Sequence, residues 1–394
     1  MANAPLEVFS ERINSMEISS TSAMVNTAAQ LKRQGVDIVD LAPGEPHFPT
    51  PLHIKDAGIH AIQNNFTKYT AVAGLADLRE AICDRHRQDF GSDYRWEEVI
   101  ASPGGKYALF AALQVLVSAG DEVVIPVPYW VSFKDMVRFA GGKCVFLDTA
   151  PSDFVLTAGM VENVLTPKTR AIILNYPNNP SGALLDSNEL EKIVDMAAKR
   201  NIWVILDECY LYLTYAGDRV SAGQFKPRRP NIVIAGSVSK TYAMTGWRLG
   251  YAMAPAAVIA AIQKLQSQEI SCPSSITQAA ALAALSGPQD CVEEMRLEYL
   301  RMRDLAVAEL ATAPGIRIVL PGGGFFVFPE ISEQLLRRNM KTAREFTAAL
   351  LQKTGVLTVS GEGFGLSNYM RISFSVSEMQ LHRGINKLRE FLAA

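Results

Sequence analysis

Between about residue 97 and residue 255 the chain alternates short, β-rich apolar runs with amphipathic stretches, and this alternation restricts the fold more than any other feature. The runs are Glu97 to Ala101, Glu122 to Val127, Lys143 to Leu147, Ala171 to Asn175, Trp203 to Leu206, Ile232 to Ala235 and Leu249 to Met253. Ala171-Ile172-Ile173-Leu174 and Trp203-Val204-Ile205-Leu206 are apolar on both faces, as interior strands of a sheet covered by helices must be. One such helix is expected near Lys106, where Leu109, Phe110, Leu113, Leu116 and Val117 recur at helical spacing. The expected class is α/β, with a mostly parallel seven-stranded sheet.

At 394 residues the chain is too long for one ordinary domain. After about Gly287 the texture changes to a long charged helix through Ala313, short strands around Arg317 to Leu320 and Phe325 to Phe328, a helix from Thr342 and a strand at Met370 to Phe374. Ser377-Glu378-Met379-Gln380 is a capping-box pattern ahead of Leu381, Ile385, Leu388 and Leu392 on one helical face. We therefore expect a large α/β unit over 46–286, a smaller α+β unit over 287–394, and a segment 1–45 that joins the smaller unit.

Charge and cysteine usage narrow the function classes. The 38 Lys plus Arg nearly balance 40 Asp plus Glu, and no basic run would track a phosphate backbone, so nucleic acid is not an expected partner. No apolar run approaches the ~18 residues of a membrane span, and Met1 to Arg12 does not read as a signal peptide. Five scattered cysteines without a Cys-x-x-Cys pair suit reduced thiols, hence a cytoplasmic protein. The five histidines show no metal-ligand spacing, so no metal is expected.

In open parallel sheets ligands bind at the carboxyl ends of strands, so the polar residues after each run are where function concentrates. Four ends are rich in them. Ser102-Pro103-Gly104-Gly105-Lys106 opens a helix, whose exposed amides suit a phosphate. Asn175 to Gly182 forms an Asn- and Pro-rich loop. Asp207 places an acid directly behind four apolar residues, where it needs a cationic partner, either a structural base or a ligand. Ser237-Val238-Ser239-Lys240 presents a lysine whose burial would free its amine for nucleophilic attack on a carbonyl.

Asn179-Pro180-Ser181-Gly182, Asp207 with Tyr210, Ser237-x-Ser239-Lys240 and Arg248 together resemble the class I pyridoxal-phosphate aminotransferases, and the spacings between them match that family's pattern. Leu41 to Pro46, Lys68-Tyr69-Thr70 and Tyr369 to Ser373 extend the resemblance along nearly the whole chain. It is closest to bacterial-type aspartate aminotransferases that carry Gly-Gly-Lys before the first large-domain helix and Pro-Tyr-Trp-Val-Ser, here Pro128 to Ser132, after the next strand.

The resemblance implies fold type I of the pyridoxal-phosphate transferases and pyridoxal 5′-phosphate as cofactor. Lys240 would hold that cofactor covalently and, once released, act as general base, while Asp207 would keep its ring nitrogen protonated. Tyr210 and Asn179 would bond the ring oxygen O3′. Trp130 would stack on the ring, with neighbouring Tyr129 as the alternative. Gly105, Lys106, Ser237, Ser239 and Arg248 would bind the phosphate, joined by Tyr69 from the other subunit of an obligate homodimer. Arg371, Asn179 and Gly44 would receive the substrate α-carboxylate. The implied reaction is a ping-pong transfer through pyridoxamine phosphate between an amino acid and a 2-oxo acid, foremost aspartate plus 2-oxoglutarate to oxaloacetate plus glutamate. Prephenate, aromatic and alanine aminotransferases are the alternatives.

One position departs from the better-known pattern. The chain has no arginine between Arg248 and Arg296, where the animal and enteric aspartate enzymes place the one that reads a distal carboxylate. Lys106 would serve instead, or would merely neutralise the cofactor phosphate; Ser19 and Thr21 could add hydroxyl donors. A rival set of motifs, Ser-x-x-Lys at 237–240, Tyr176-Pro177-Asn178 and Lys353-Thr354-Gly355, matches serine acyl-transferring penicillin-binding proteins, but its order along the chain and its structural context are wrong. A ligand-sensing regulator on the same fold would need a DNA-binding unit, and the sequence offers no basic helix for one.

Overall fold

The computed structural model describes residues 9–14, 16, 20–228 and 230–393. Ser19 lies outside the described residues. Seven strands form one sheet: β1 Val99–Ser102, β2 Glu122–Val127, β3 Lys143–Asp148, β4 Thr169–Asn175, β5 Trp203–Asp207, β6 Ile232–Ser237 and β7 Gly250–Met253. Their spatial order is β1-β7-β6-β5-β4-β2-β3. β3, β2, β4, β5 and β6 run parallel. β7 is antiparallel to both β6 and β1. The link into β7 holds only the four-residue helix Val238–Thr241 and a 3-10 turn at Thr245–Trp247, so the chain returns beside β6 instead of crossing over.

Successive side chains of a strand face opposite sides, which is why runs apolar throughout are needed for a sheet covered on both faces. On one face Ile172, Leu174, Val204, Leu206, Ile232 and Ile234 meet Leu78 and Ile82 of α1 (Ala76–Phe90) and Leu190 and Ile193 of α3 (Ser187–Lys199). On the other, Ala171, Ile173, Ile205, Val233 and Ala235 meet Leu109 and Leu113 of α2 (Gly105–Leu116). β1 begins two residues later than expected because Trp96–Glu98 winds into a 3-10 turn, tied by Glu98 to the Arg95 amide at 3.0 Å.

A second core surrounds α4 (Asp290–Leu310), α5 (Ala343–Thr354) and α6 (Glu378–Ala393), which pack on a three-stranded sheet of β8 (Phe326–Val327), β9 (Val359–Ser360) and β10 (Met370–Ser373) in the order β9-β10-β8. Val39–Asp40 joins this region by parallel pairing with Val356–Leu357. α5 starts after Thr342, whose hydroxyl accepts from Glu345 N, and ends at Gly355 with φ 74°, a left-handed cap that excludes Lys353-Thr354-Gly355 as a catalytic triplet. α6 buries Leu381, Ile385, Leu388 and Leu392, and Ser377 Oγ accepts from Gln380 N at 3.4 Å. The expected strand at Arg317 to Leu320 does not form. Arg317 makes one isolated bridge to Glu330, and the chain then turns at Pro321 to Gly324, where Gly323 bridges Thr214 of the larger region. α4 stops at Leu310, short of Ala313. Among the described residues no helix is long and apolar enough to cross a membrane, and no cluster of His, Cys, Asp and Glu could hold a metal.

Candidate active site

A cavity of about 630 Å³ opens where the carboxyl ends of β4, β5 and β6 meet the segment 40–45 and Arg371 of β10. It collects Gly44, Gly105, Lys106, Trp130, Asn179, Asp207, Tyr210, Ser237, Ser239, Lys240, Arg248 and Arg371 from seven separate stretches of sequence. Tyr69 is not among them: the residue is 89 % exposed and lines no part of this chain's cavity. The side chain of Thr21 lies outside the described residues.

Asp207 ends β5, paired in register with Asn175 and Ala235. Asn175 Nδ2 bonds the Asp207 carbonyl at 3.1 Å, and its Oδ1 accepts from the Asn179 amide at 3.0 Å, so one side chain fixes two strand ends. The Asp207 carboxylate accepts from the Cys209 amide at 3.1 Å. Burial pushes it up to about 7, an effect that this amide and Lys240 only partly oppose. Among the described residues no base forms an ion pair with it, which leaves room for the positive charge of a ligand.

Lys240 sits in the short helix after β6, and its Nζ donates to the Gly44 carbonyl. Burial lowers its proton affinity, Cys209 and Glu45 raise it, and Arg371 and Arg248 lower it again. Tyr210 is buried edge-on against Phe325 and Phe326 at 5.4 and 6.0 Å, and its phenol is pushed well above the usual range by burial.

Arg371 is buried, and among the described residues no carboxylate forms an ion pair with it. Nη1 donates to Asn179 Oδ1 at 3.0 Å and Nη2 to Ala42 O at 2.9 Å, while the guanidinium lies over Phe326 at 4.2 Å. Its Nε has no hydrogen-bond partner among the described residues, and desolvation draws the guanidinium down to about 10. A buried cation so incompletely matched fits an incoming anion.

The opposite wall is an anion cradle. α2 starts at Gly105 after Gly104, whose φ of 94° only glycine adopts easily; a Cβ there would also lie 2.7 Å from Arg248 Nη2. Ser237 Oγ lies 2.7 Å from Ser239 Oγ, and Arg248 Nη1 donates to Thr245 O at 2.8 Å. Amides at a helix start, two hydroxyls and a guanidinium are the donor set a phosphate requires. Lys106 Nζ stands 4.9 Å over the Trp130 ring, and burial, then Arg248, lower its proton affinity. Tyr129 is turned away, stacked on Phe146 at 5.1 Å.

The sequence reading gave no role to Asn175, Glu45, Thr245 or Cys209, which also line the cavity. Asn175 carried a usable signal as the polar end of an apolar run. Glu45 did not, since its 3.0 Å bond from Thr245 Oγ1 spans 200 residues.

The sequence matches the model of the family described as aminotransferase class I and II over residues 36–388. The chain is 39% identical over 387 residues to the aspartate aminotransferase of Geobacillus stearothermophilus, covering 98% of each. It is 37% identical over 397 residues to the aspartate/prephenate aminotransferase of Nitrosomonas europaea, covering 98% of this chain and 99% of that one. The structure of Thermus thermophilus aspartate aminotransferase with maleate superposes with a TM-score of 0.93 at 36% identity, covering 98% of this chain and all of that one. The chain therefore belongs to the class I and II aminotransferases, pyridoxal 5′-phosphate enzymes of fold type I that pass an amino group from an amino acid to a 2-oxo acid.

Proposed function

We propose that this aminotransferase takes dicarboxylic substrates, foremost aspartate with 2-oxoglutarate, giving oxaloacetate and glutamate. The observation that carries the reading is a pair of cations in one cavity: the under-matched Arg371 on one wall and Lys106 on the other. Two carboxylates on one substrate would satisfy both. The relatives named above are described as aspartate or aspartate/prephenate aminotransferases, and prephenate, also a dicarboxylate, would suit the same two cations.

In this reading the Gly105 and Lys106 amides, Ser237, Ser239 and Arg248 would hold the phosphate of the cofactor, and Trp130 would cover the ring. Pyridoxal 5′-phosphate, when bound, supplies an aldehyde that captures the substrate amine and a protonated ring that takes up the electron pair left at the α-carbon. Arg371, with Asn179 and Gly44 beside it, holds the α-carboxylate and so orients the α-hydrogen toward Lys240. The Lys240 amine, its proton affinity lowered by burial, would serve as the base that takes this proton and holds it for return to the product side. Asp207 would face the ring nitrogen and favour its protonated form, and Tyr210 and Asn179 would hold the ring oxygen O3′. Ping-pong kinetics follow, because the first product leaves before the second substrate enters.

Half-reactions with single amino acids, followed by the cofactor's absorbance, test the substrate class. Losing a paired charge in a closed pocket costs about 2 to 5 kcal/mol, so Lys106→Ala is expected to lower kcat/KM for aspartate and glutamate by roughly 30-fold or more. Neutral amino acids should be spared. An equal loss for phenylalanine or alanine would assign Lys106 to the cofactor phosphate and remove the main support for a dicarboxylate.

The proposal includes a cytoplasmic homodimer whose partner lends Tyr69 to each phosphate site. Supporting it are the exposure of Tyr69 and of the apolar side chains Leu52, Ile59, Ile62 and Phe66 in the segment before it. All five cysteines are free thiols. Ile59→Glu combined with Ile62→Glu is expected to halve the mass seen by sedimentation and to weaken cofactor binding; a monomer that binds the cofactor unchanged would refute the shared site. The division into 46–286 and 287–394, with 1–45 attached to the latter, belongs to the same proposal and is supported by a second core drawn mainly from residues 295–392 with Val39 and Leu41, distinct from the two cores on the faces of the large sheet.

A further inference from the structure

Directly behind Asp207 lies a buried polar cluster to which the transamination chemistry gives no task. Glu208 continues past β5, its amide bonded to Ala235 O at 3.0 Å, and its side chain points away from the cavity toward α1. There it meets Ser221 and, from α1, His86, whose far side rests on Ser92; all four residues are less than a tenth exposed.

The hydrogen-bond directions follow from the proton inventory. Ser221 Oγ lies 2.8 and 2.9 Å from the two Glu208 oxygens, so its single proton goes to the carboxylate. It accepts from Gly223 N at 3.1 Å and therefore also from His86 Nε2 at 3.2 Å, which must carry hydrogen. The same Nε2 is 3.6 Å from Glu208 Oε2. On the other side of the ring Nδ1 is 2.8 Å from Ser92 Oγ, a hydroxyl that can donate to a bare nitrogen or turn and accept from a protonated one. The imidazole can thus take a second proton opposite a carboxylate without losing a hydrogen bond. The other ionisable neighbours are Tyr94, edge-on to the ring at 6.3 Å, and Asp89 on α1, which is engaged by Arg85 at 3.4 Å and by Tyr212; Tyr251 of β7 adds its phenol on the Glu208 side.

We propose that His86 is a positioning residue for transamination: paired with Glu208, it offsets the negative charge lodged behind Asp207 and so keeps the proton shared by Asp207 and the cofactor's ring nitrogen on the nitrogen. Glu208 is adjacent to Asp207 in the chain, and its charge is one of the influences that raise the Asp207 proton affinity. Uncompensated, that charge penalises the ionised carboxylate more than it favours the more distant ring cation, and the proton shifts toward Asp207. A protonated His86 cancels it. The inference rests on the role proposed for Asp207.

Holoenzyme reconstituted with cofactor carrying ¹⁵N in its ring reports the proton position through that nitrogen's chemical shift. His86→Gln is expected to move the resonance toward the unprotonated value and to slow the aspartate half-reaction about tenfold, since one pKa unit in the shared proton changes the ratio of forms tenfold. Adding Glu208→Gln should return both towards the parent values. A cluster that only stabilises the fold would give a lower Tm, an unmoved resonance and no rescue by the second substitution, and any of the last two outcomes overturns the proposal. Should His86→Gln fail to fold, the histidine ring-nitrogen resonances of the unmodified holoenzyme decide: His86 must be found carrying a proton on both ring nitrogens under the assay conditions, and a singly protonated imidazole sinks the idea. Asp207→Asn separates the two layers. If it leaves the resonance unmoved, the reading of Asp207 fails; if it moves the resonance while His86 is silent, only the present inference does.

Discussion

Lys240→Ala is expected to abolish transamination, with a loss exceeding roughly 10⁴-fold, because one side chain serves both as the covalent anchor of the cofactor and as the base at the substrate α-carbon. The amine can do both only when neutral. Burial lowers its proton affinity, so the neutral form is fully present above the depressed value and is lost as pH falls through it. Activity at low pH should fade accordingly, while Asp207 and Arg371 still bind. Lys240→Arg, which keeps the charge but cannot deprotonate, should be as inactive as Lys240→Ala. Borohydride reduction of the holoenzyme followed by peptide mapping checks the anchor: the adduct should fall on the peptide holding Lys240. An adduct on Lys106 would reassign the site, since that lysine also lies in the cavity and also has a lowered proton affinity.

The parts of this site that are legible in the sequence share one property: they follow apolar runs, so knowing that a strand ends also says where its next polar residue points. Asn179, Asp207, Ser237 and Lys240 are of that kind, and the cavity gathers all four. Arg371 is of another kind. It comes from the second core, and only the family resemblance, not any local pattern, connected it to residues almost 200 positions away. The antiparallel turn of β7 was hidden because Leu249 to Met253 has the same apolar texture as its parallel neighbours; direction depends on the length and content of the link, not on the strand. The His86 cluster was illegible for a related reason. Histidine in the middle of α1, serine in two loops and glutamate after a strand each look ordinary alone, and their contacts span 6, 13 and 135 positions. Tyr69 marks a different boundary: its exposure hints at a covering partner, but its task at a phosphate came from the family resemblance alone.

Asp207→Ala is expected to slow the single-turnover half-reaction by roughly 10³-fold or more, which at 1.36 kcal/mol per tenfold is about 4 kcal/mol of lost transition-state stabilisation. The expectation follows from where the carboxylate is held. It is buried, bonded to one backbone amide and raised to about 7 by desolvation, so the protein alone does not stabilise its charge. A ring cation would restore that balance: each group makes the other's charged form favourable, and the proton remains on the nitrogen at neutral pH. Remove the carboxylate and the ring nitrogen loses its proton, leaving a poor acceptor for the electron pair at the α-carbon. Cofactor affinity should fall far less, because the phosphate cradle and Lys240 are untouched. The Asn substitution keeps the shape and one acceptor but not the charge, so Asp207→Asn should resemble Asp207→Ala in rate while preserving the bond to the Cys209 amide. Rapid-mixing measurement of the half-reaction with saturating aspartate checks this. A near-normal rate in either variant would mean that the ring is activated without Asp207, and the buried carboxylate would then be left with a structural role alone.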